Sequence, residues 1–221
     1  LHIDINTGTG PEEIDDTLQL LILLTVLTIA PALLLMTTSF TRFVVVFGML
    51  RHALGLQNSP PNQVIIGLAL FMTLFAMSGP FNGMYEQAYV PYRENEITSA
   101  EAISVAGSIM REHLERNVSE ESLALFYKLN PDMERPRNMS DVGMNILLPA
   151  YILTELTVAF KVGFLIFIPF LVIDMLVATV LMGMGMFMLP PVMISLPFKI
   201  LLFVLIDGWN LISYTLLRGV S

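Results

Sequence analysis

The chain has 221 residues, 55% hydrophobic and only 14% charged, with a mean hydropathy of +0.71. Soluble domains carry about 25% charged residues, so this composition excludes an ordinary soluble enzyme and points to a membrane protein. The formal net charge of −8 is unevenly spread: residues 1–16 and 82–145 each carry −5, and the apolar remainder carries +2.

No basic stripe is present, which argues against a nucleic-acid partner. Cysteine is absent, so disulfides, iron–sulfur clusters and zinc–thiolate sites are excluded. His2, His52 and His113 lack ligand spacing. No metal site and no cofactor are expected.

The head, residues 1–16, holds five acids and no base. No basic leader region precedes the first apolar run, and the head is read as the mature end left by removal of a leader. An apolar run follows from Thr17 to Met36 and resumes from Phe43 to Leu50, with Arg42 as its only charge. Pro31 predicts a kink or a break within it. Arg51 to Gln63 is polar and contains Ser59-Pro60-Pro61-Asn62, a proline pair suited to halting one helix and opening the next. Val64 to Phe81 is free of charge and long enough to span a bilayer as one helix.

Residues 82–145 form the water-loving segment. Thr98-Ser99-Ala100-Glu101 reads as a capping box. Helically spaced Ala102, Ile103, Ala106, Ile109, Met110 and Leu114 follow it. A second short helix is predicted from Ser119, with Leu123, Phe126 and Leu129 on one face. Residues 130–138 read as loop.

The second apolar half runs from Ile146 nearly to the end, punctuated by Pro149, Pro169, Pro190, Pro191 and Pro197. Between Val162 and Phe198 the only charge is Asp174, and the run requires at least two helices. The halves share a loose plan, a proline-interrupted apolar helix, a double proline and a second apolar helix. The fold expected is an all-α integral membrane protein of helical hairpins with proline breaks. It has four hydrophobic blocks and a small helical external segment. Its divisions are 1–16, 17–81, 82–145 and 146–221. Arg51 and His52 place their turn in the cytoplasm by the positive-inside rule, with 1–16 and 82–145 outside.

Glu155, Lys161, Asp174, Lys199 and Asp207 are charges in apolar surroundings, each costly against lipid. They are read as mutually paired groups that fix helix or subunit register, rather than as a proton relay. Met182, Met184, Met186 and Met188 recur at every second position. Gly183 and Gly185 interrupt the helix and Pro190-Pro191 stops its continuation. A flexible apolar loop at membrane depth must line a cavity or be buried in protein, so Met184, Met186, Phe187 and Met188 are candidates for a pore constriction. No nucleophile elbow, HExxH or phosphate loop is present, and no catalysis is expected.

Four strings together resemble the FliP family of flagellar type III export-gate proteins: Thr38-Ser39-Phe40-Thr41-Arg42 through Leu50-Arg51; Ser59-Pro60-Pro61-Asn62-Gln63; Pro149-Ala150-Tyr151 through Glu155 to Phe160; and Pro197-Phe198-Lys199 through Asp207-Gly208-Trp209. The resemblance covers most of residues 17–215. It implies a core subunit of a bacterial inner-membrane export gate in the flagellar basal body. Five copies would assemble with FliR and FliQ, near FlhB and FlhA, into a closed conduit for unfolded substrates. It maps the family's constriction loop onto Met186, Phe187 and Met188, with phenylalanine in place of the middle methionine. It makes residues 1–16 and 82–145 periplasmic. The acidic head and long external segment favour the flagellar branch over virulence type III secretion gates. A different class of reading, an independent proton-coupled transporter, would use Glu155 and Asp174.

Overall fold

The computed structural model describes residues 11–129, 136 and 138–219. The acidic head up to residue 10 and most of the predicted loop 130–138 lie outside the described residues. Two units are present, divided between Met36 and Thr37. No strand occurs among the described residues.

The first unit is helix α1 (Pro11–Thr37), which runs through Pro31 without ending. Of the kink or break expected at Pro31, a break does not occur, and the helix ends at Thr37. Proline removes one N–H and its ring crowds the preceding turn, but its φ remains helical. One lost bond in a helix of 27 residues bends a helix more readily than it stops it. Leu20 to Leu24 and Leu27 are all exposed, as suits a lipid-facing helix.

The second unit opens with α2 (Phe40–Ala53) and α3 (Asn62–Ala76). The single span expected over Val64–Phe81 is instead broken at Met77. There α3 gives way to α4 (Ser78–Met84). Pro80 has no N–H to offer the Ala76 carbonyl, whereas the flanking bonds survive, Met77 N–H to Thr73 O at 2.8 Å and Phe81 N–H to Met77 O at 3.0 Å. A π turn (Tyr85–Tyr89) and α5 (Val90–Arg93) continue the chain, and the two arms meet at 60°.

The polar segment contains α6 (Ser99–Asn117) and α7 (Glu120–Leu129). The capping box forms as read from sequence. The Thr98 hydroxyl accepts from the Glu101 N–H at 3.3 Å, and the Glu101 carboxylate accepts from the Thr98 N–H at 2.7 Å.

Helix α8 (Met144–Gly183) has 40 residues and runs through Pro149 and Pro169. At 1.5 Å per residue it is about 60 Å long, twice the roughly 30 Å of a hydrocarbon core. Its first turns are buried with α6 and α7 around Leu114, Leu123, Leu147 and Tyr151. Further along it packs most extensively on α2, in a core built on Phe43, Val46, Phe47, Leu50, Ala159 and Phe170. Gly163 faces α2 there, and a Cβ would meet the end of the Met49 side chain, which would have to shift. Helix α9 (Pro191–Leu205) then meets α10 (Gly208–Arg218) at 63°. Gly208 is required at that corner, since any Cβ would enter the Phe203 ring.

The loose sequence echo becomes a structural repeat. Both α2 and α8 end on a glycine with φ +78°, Gly55 and Gly185. Gly55 donates to His52 O and Leu56 to Arg51 O, at 3.0 and 3.1 Å. Gly185 donates to Met182 O and Met186 to Leu181 O, both at 3.0 Å. These are paired Schellman caps, in which glycine takes the left-handed position at no steric cost. Five positions after each glycine comes a double proline, Pro60-Pro61 or Pro190-Pro191. Each opens a helix of 15 residues, α3 or α9, that then bends. Among the described residues one helix, α8, is long and apolar enough to cross a membrane, or up to three spans if each bent pair counts as one.

Candidate functional site

The charges singled out in the sequence separate into two paired centres and two exposed groups. In the first centre Glu155, on the α2 side of α8, receives Arg42 from the first turn of α2. Arg42 Nε donates to Oε2 at 2.9 Å and Nη2 to Oε1 at 2.5 Å. Both side chains are at least 96% excluded from solvent. The remaining arm, Nη1, donates to the Gly219 carbonyl at 2.6 Å. One guanidinium thus ties α2, α8 and the end of α10, using the planar fork only arginine offers.

One turn before Glu155, Tyr151 meets His113 of α6 edge-on at 5.9 Å, with Oη 3.4 Å from Nε2. Thr154 accepts from the Ser119 N–H at 3.1 Å and donates to Ser122 Oγ at 3.0 Å. This polar cluster joins the water-loving segment to α8. Burial, then the positive charges of Arg42 and Arg116, hold His113 below its ordinary value of 6.5.

The second centre lies on the hairpin of α8 and α9. Lys199 Nζ donates to Asp174 Oδ2 at 2.6 Å and to the Ala53 carbonyl at 3.1 Å. Ser195 Oγ donates to Asp174 Oδ1 at 2.5 Å. Lys199 is 2% exposed and Ser195 fully buried. The lysine also satisfies a carbonyl at the end of α2, which has no intrahelical partner.

Lys161 and Asp207, grouped with the buried charges in the sequence, are both exposed in the single chain. Lys161 lies on the face of α8 turned away from α2, because Ala159 and Gly163 take the packed side. Asp207 occupies the α9–α10 corner with φ 51°, where its carboxylate accepts from Asn210 Nδ2 at 3.1 Å. Among the described residues neither has an ion pair.

The methionine loop sits where α8 turns into α9. Met184, Met186, Phe187 and Met188 are all exposed, Phe187 at 78% and Met188 at 98%. Arg42 and Ser195 were not read as functional positions from sequence. Arg42 stood in view as the lone charge of the first apolar run, but nothing in its local sequence names Glu155 as partner. Among the described residues no cluster could hold a metal ion.

The paired residues Arg42 and Glu155, and Lys199 with the Ala53 end of α2, lie in separate motifs, and the fold brings the motifs together. The FliP family model matches residues 23–216. The chain belongs to the FliP family. It is 48% identical to the flagellar biosynthetic protein FliP of Bacillus subtilis over 98% of both chains. It is 50% identical to that of Borreliella burgdorferi over 95% of this chain and 84% of the relative. The corresponding protein of Caulobacter vibrioides is 45% identical over 98% of this chain and 81% of its own. As a FliP-family protein the chain is all-α, with helices suited to a membrane.

Proposed function

We propose that this FliP-family chain is a subunit of the bacterial flagellar protein export apparatus, seated in the inner membrane, and that it forms the wall of a conduit for unfolded substrates. Family membership over nearly the whole chain carries the reading. Copies of the chain assemble with further export proteins, of which FliR, FliQ, FlhB and FlhA are the expected partners. Residues 1–16 and 82–145 face the periplasm, and the turn from Arg51 to Gln63 faces the cytoplasm. The chain is a structural element and not a catalyst.

The methionine loop is the closing element. Its apolar side chains are exposed in one copy, which favours burial against their counterparts in an assembly. A ring of such loops excludes ions as a hydrophobic constriction does. Contacts between thioethers are weak, about 0.1–0.2 kcal/mol per atom pair, so the seal parts for an incoming chain and recloses. Glu155 and Asp174 each already neutralise a cation, which favours a register-fixing role over a proton relay. The mass of the detergent-solubilised wild-type complex tests the proposal. A mass of several copies plus partners is expected, and a lone 24.6 kDa species would overturn it.

A further inference from the structure

Lys161 is the eighteenth residue of α8 and stands in an exposed apolar stripe with Phe160, Phe164, Leu165 and Ile168. A charge inside a spanning helix is retained where it meets a partner or a wet cavity. Within one copy Lys161 has no side-chain hydrogen bond or ion pair among the described residues.

Among the acids that share the second apolar half with Lys161, elimination leaves one. The acids described between 144 and 219 are Glu155, Asp174 and Asp207. Glu155 is consumed by Arg42, and Asp174 by Lys199 and Ser195. Asp207 alone keeps an uncompensated carboxylate. It starts α10 from a left-handed backbone position, yet its side chain caps no backbone N–H of that helix. Capping therefore does not account for its charge. Of the free cations, Arg218 ends α10, where helix carbonyls and water solvate it. Lys161, in mid-helix, has neither.

We propose that Lys161 of one copy pairs with Asp207 of the next copy. This rests on the reading of the chain as a self-assembling export subunit. Each copy offers a cation to one neighbour and a carboxylate to the other. Such a head-to-tail contact between identical subunits generates a ring or a helical array, the architecture a conduit requires. The two groups lie on different elements, so the contact also fixes the register of α8 against the neighbouring α9–α10 corner.

Two measurements test the pair. Lys161→Asp and Asp207→Lys are each made alone and together, with the partner subunits present. Each single reversal should lose the multi-copy complex, and the double reversal should restore it. Assembly of either single variant, or failure of the double to recover, overturns the pairing. The second measurement keeps both charges. The natural chain has no cysteine, so Phe160→Cys and Ile206→Cys are introduced together and treated with a bismaleimide in membranes. A ladder of linked copies is expected. The two cysteines on separate co-expressed chains should give dimers only. Absence of the ladder from a complex of wild-type mass overturns the pairing and leaves the export reading standing. A monomeric wild-type mass overturns that reading itself.

Discussion

Arg42 and Glu155 lie 113 positions apart and meet in a two-pronged buried ion pair, while the third arm of the guanidinium holds the Gly219 carbonyl. The pair joins the first turn of α2 to the point where α8 leaves the polar segment. Removing one member leaves a buried charge without its counter-charge.

Glu155→Ala should therefore cost about 3–5 kcal/mol and lose the multi-copy complex. Replacing both partners with apolar residues, Arg42→Met with Glu155→Leu, should recover much of that loss, because no charge is then stranded. Thermal unfolding in detergent and the mass of the purified complex read both effects. Normal assembly of Glu155→Ala with altered proton dependence of export would instead support a relay.

The methionine loop predicts a leak. Shortening Met186, Phe187 and Met188 together to alanine should leave assembly intact and raise small-ion conductance of cells or liposomes carrying the complex. Export should continue in part, since no chemistry resides there. Unchanged conductance in a correctly formed complex would reduce the loop to ordinary packing.

Gly163 faces the Met49 side chain across the α2–α8 contact. Gly163→Val should cost about 1–3 kcal/mol through overpacking against Met49, and Met49→Ala should return part of it. Gly48 is the control, because a Cβ there meets nothing within 4 Å. Gly48→Ala should be neutral or gain up to about 1 kcal/mol from helix propensity. Thermal midpoints of the variants check both expectations.

His113 predicts the pH response of the polar segment. Its pKa is depressed by burial and by Arg42 and Arg116, so the folded state favours neutral imidazole. The unfolded chain binds the proton first, near pH 6.5, and stability contributed at higher pH is lost as pH falls through that value toward the folded pKa. Protection factors of the α6 amides, corrected for the intrinsic pH dependence of exchange, should be lower at pH 5.5 than at 7.5. His113→Gln should flatten the difference. A wild-type profile identical at the two pH values would contradict the assignment.

Topology is open to thiol labelling. Glu96→Cys places a probe in the exposed turn after α5 without disturbing Asn95, whose φ of 60° suits asparagine. An impermeant maleimide should label it from the periplasmic side. Labelling only from the cytoplasm would invert the assignment.

Much of this protein is a property of contiguous residues and was legible in the sequence. Long apolar runs with few charges set the membrane class. The Thr98–Glu101 box and the two double prolines marked helix starts, because capping bonds and missing N–H groups act within one turn. The candidate charges and the methionine loop stood out for the same reason, and four motifs named the family. What spacing could not carry was distance across the fold. That Arg42 takes Glu155, that Lys199 takes Asp174 and the Ala53 carbonyl, and that Gly163 admits Met49 are relations between residues 25 to 146 positions apart. Only packing decides them, since a buried charge pairs with whatever the neighbouring helix presents. Packing also left Lys161 and Asp207 facing outward, and gave α2–α3 and α8–α9 the same glycine-capped, proline-started turn. A helix end must satisfy its last carbonyls wherever the chain reverses, and the left-handed glycine followed by a proline pair does so in both halves.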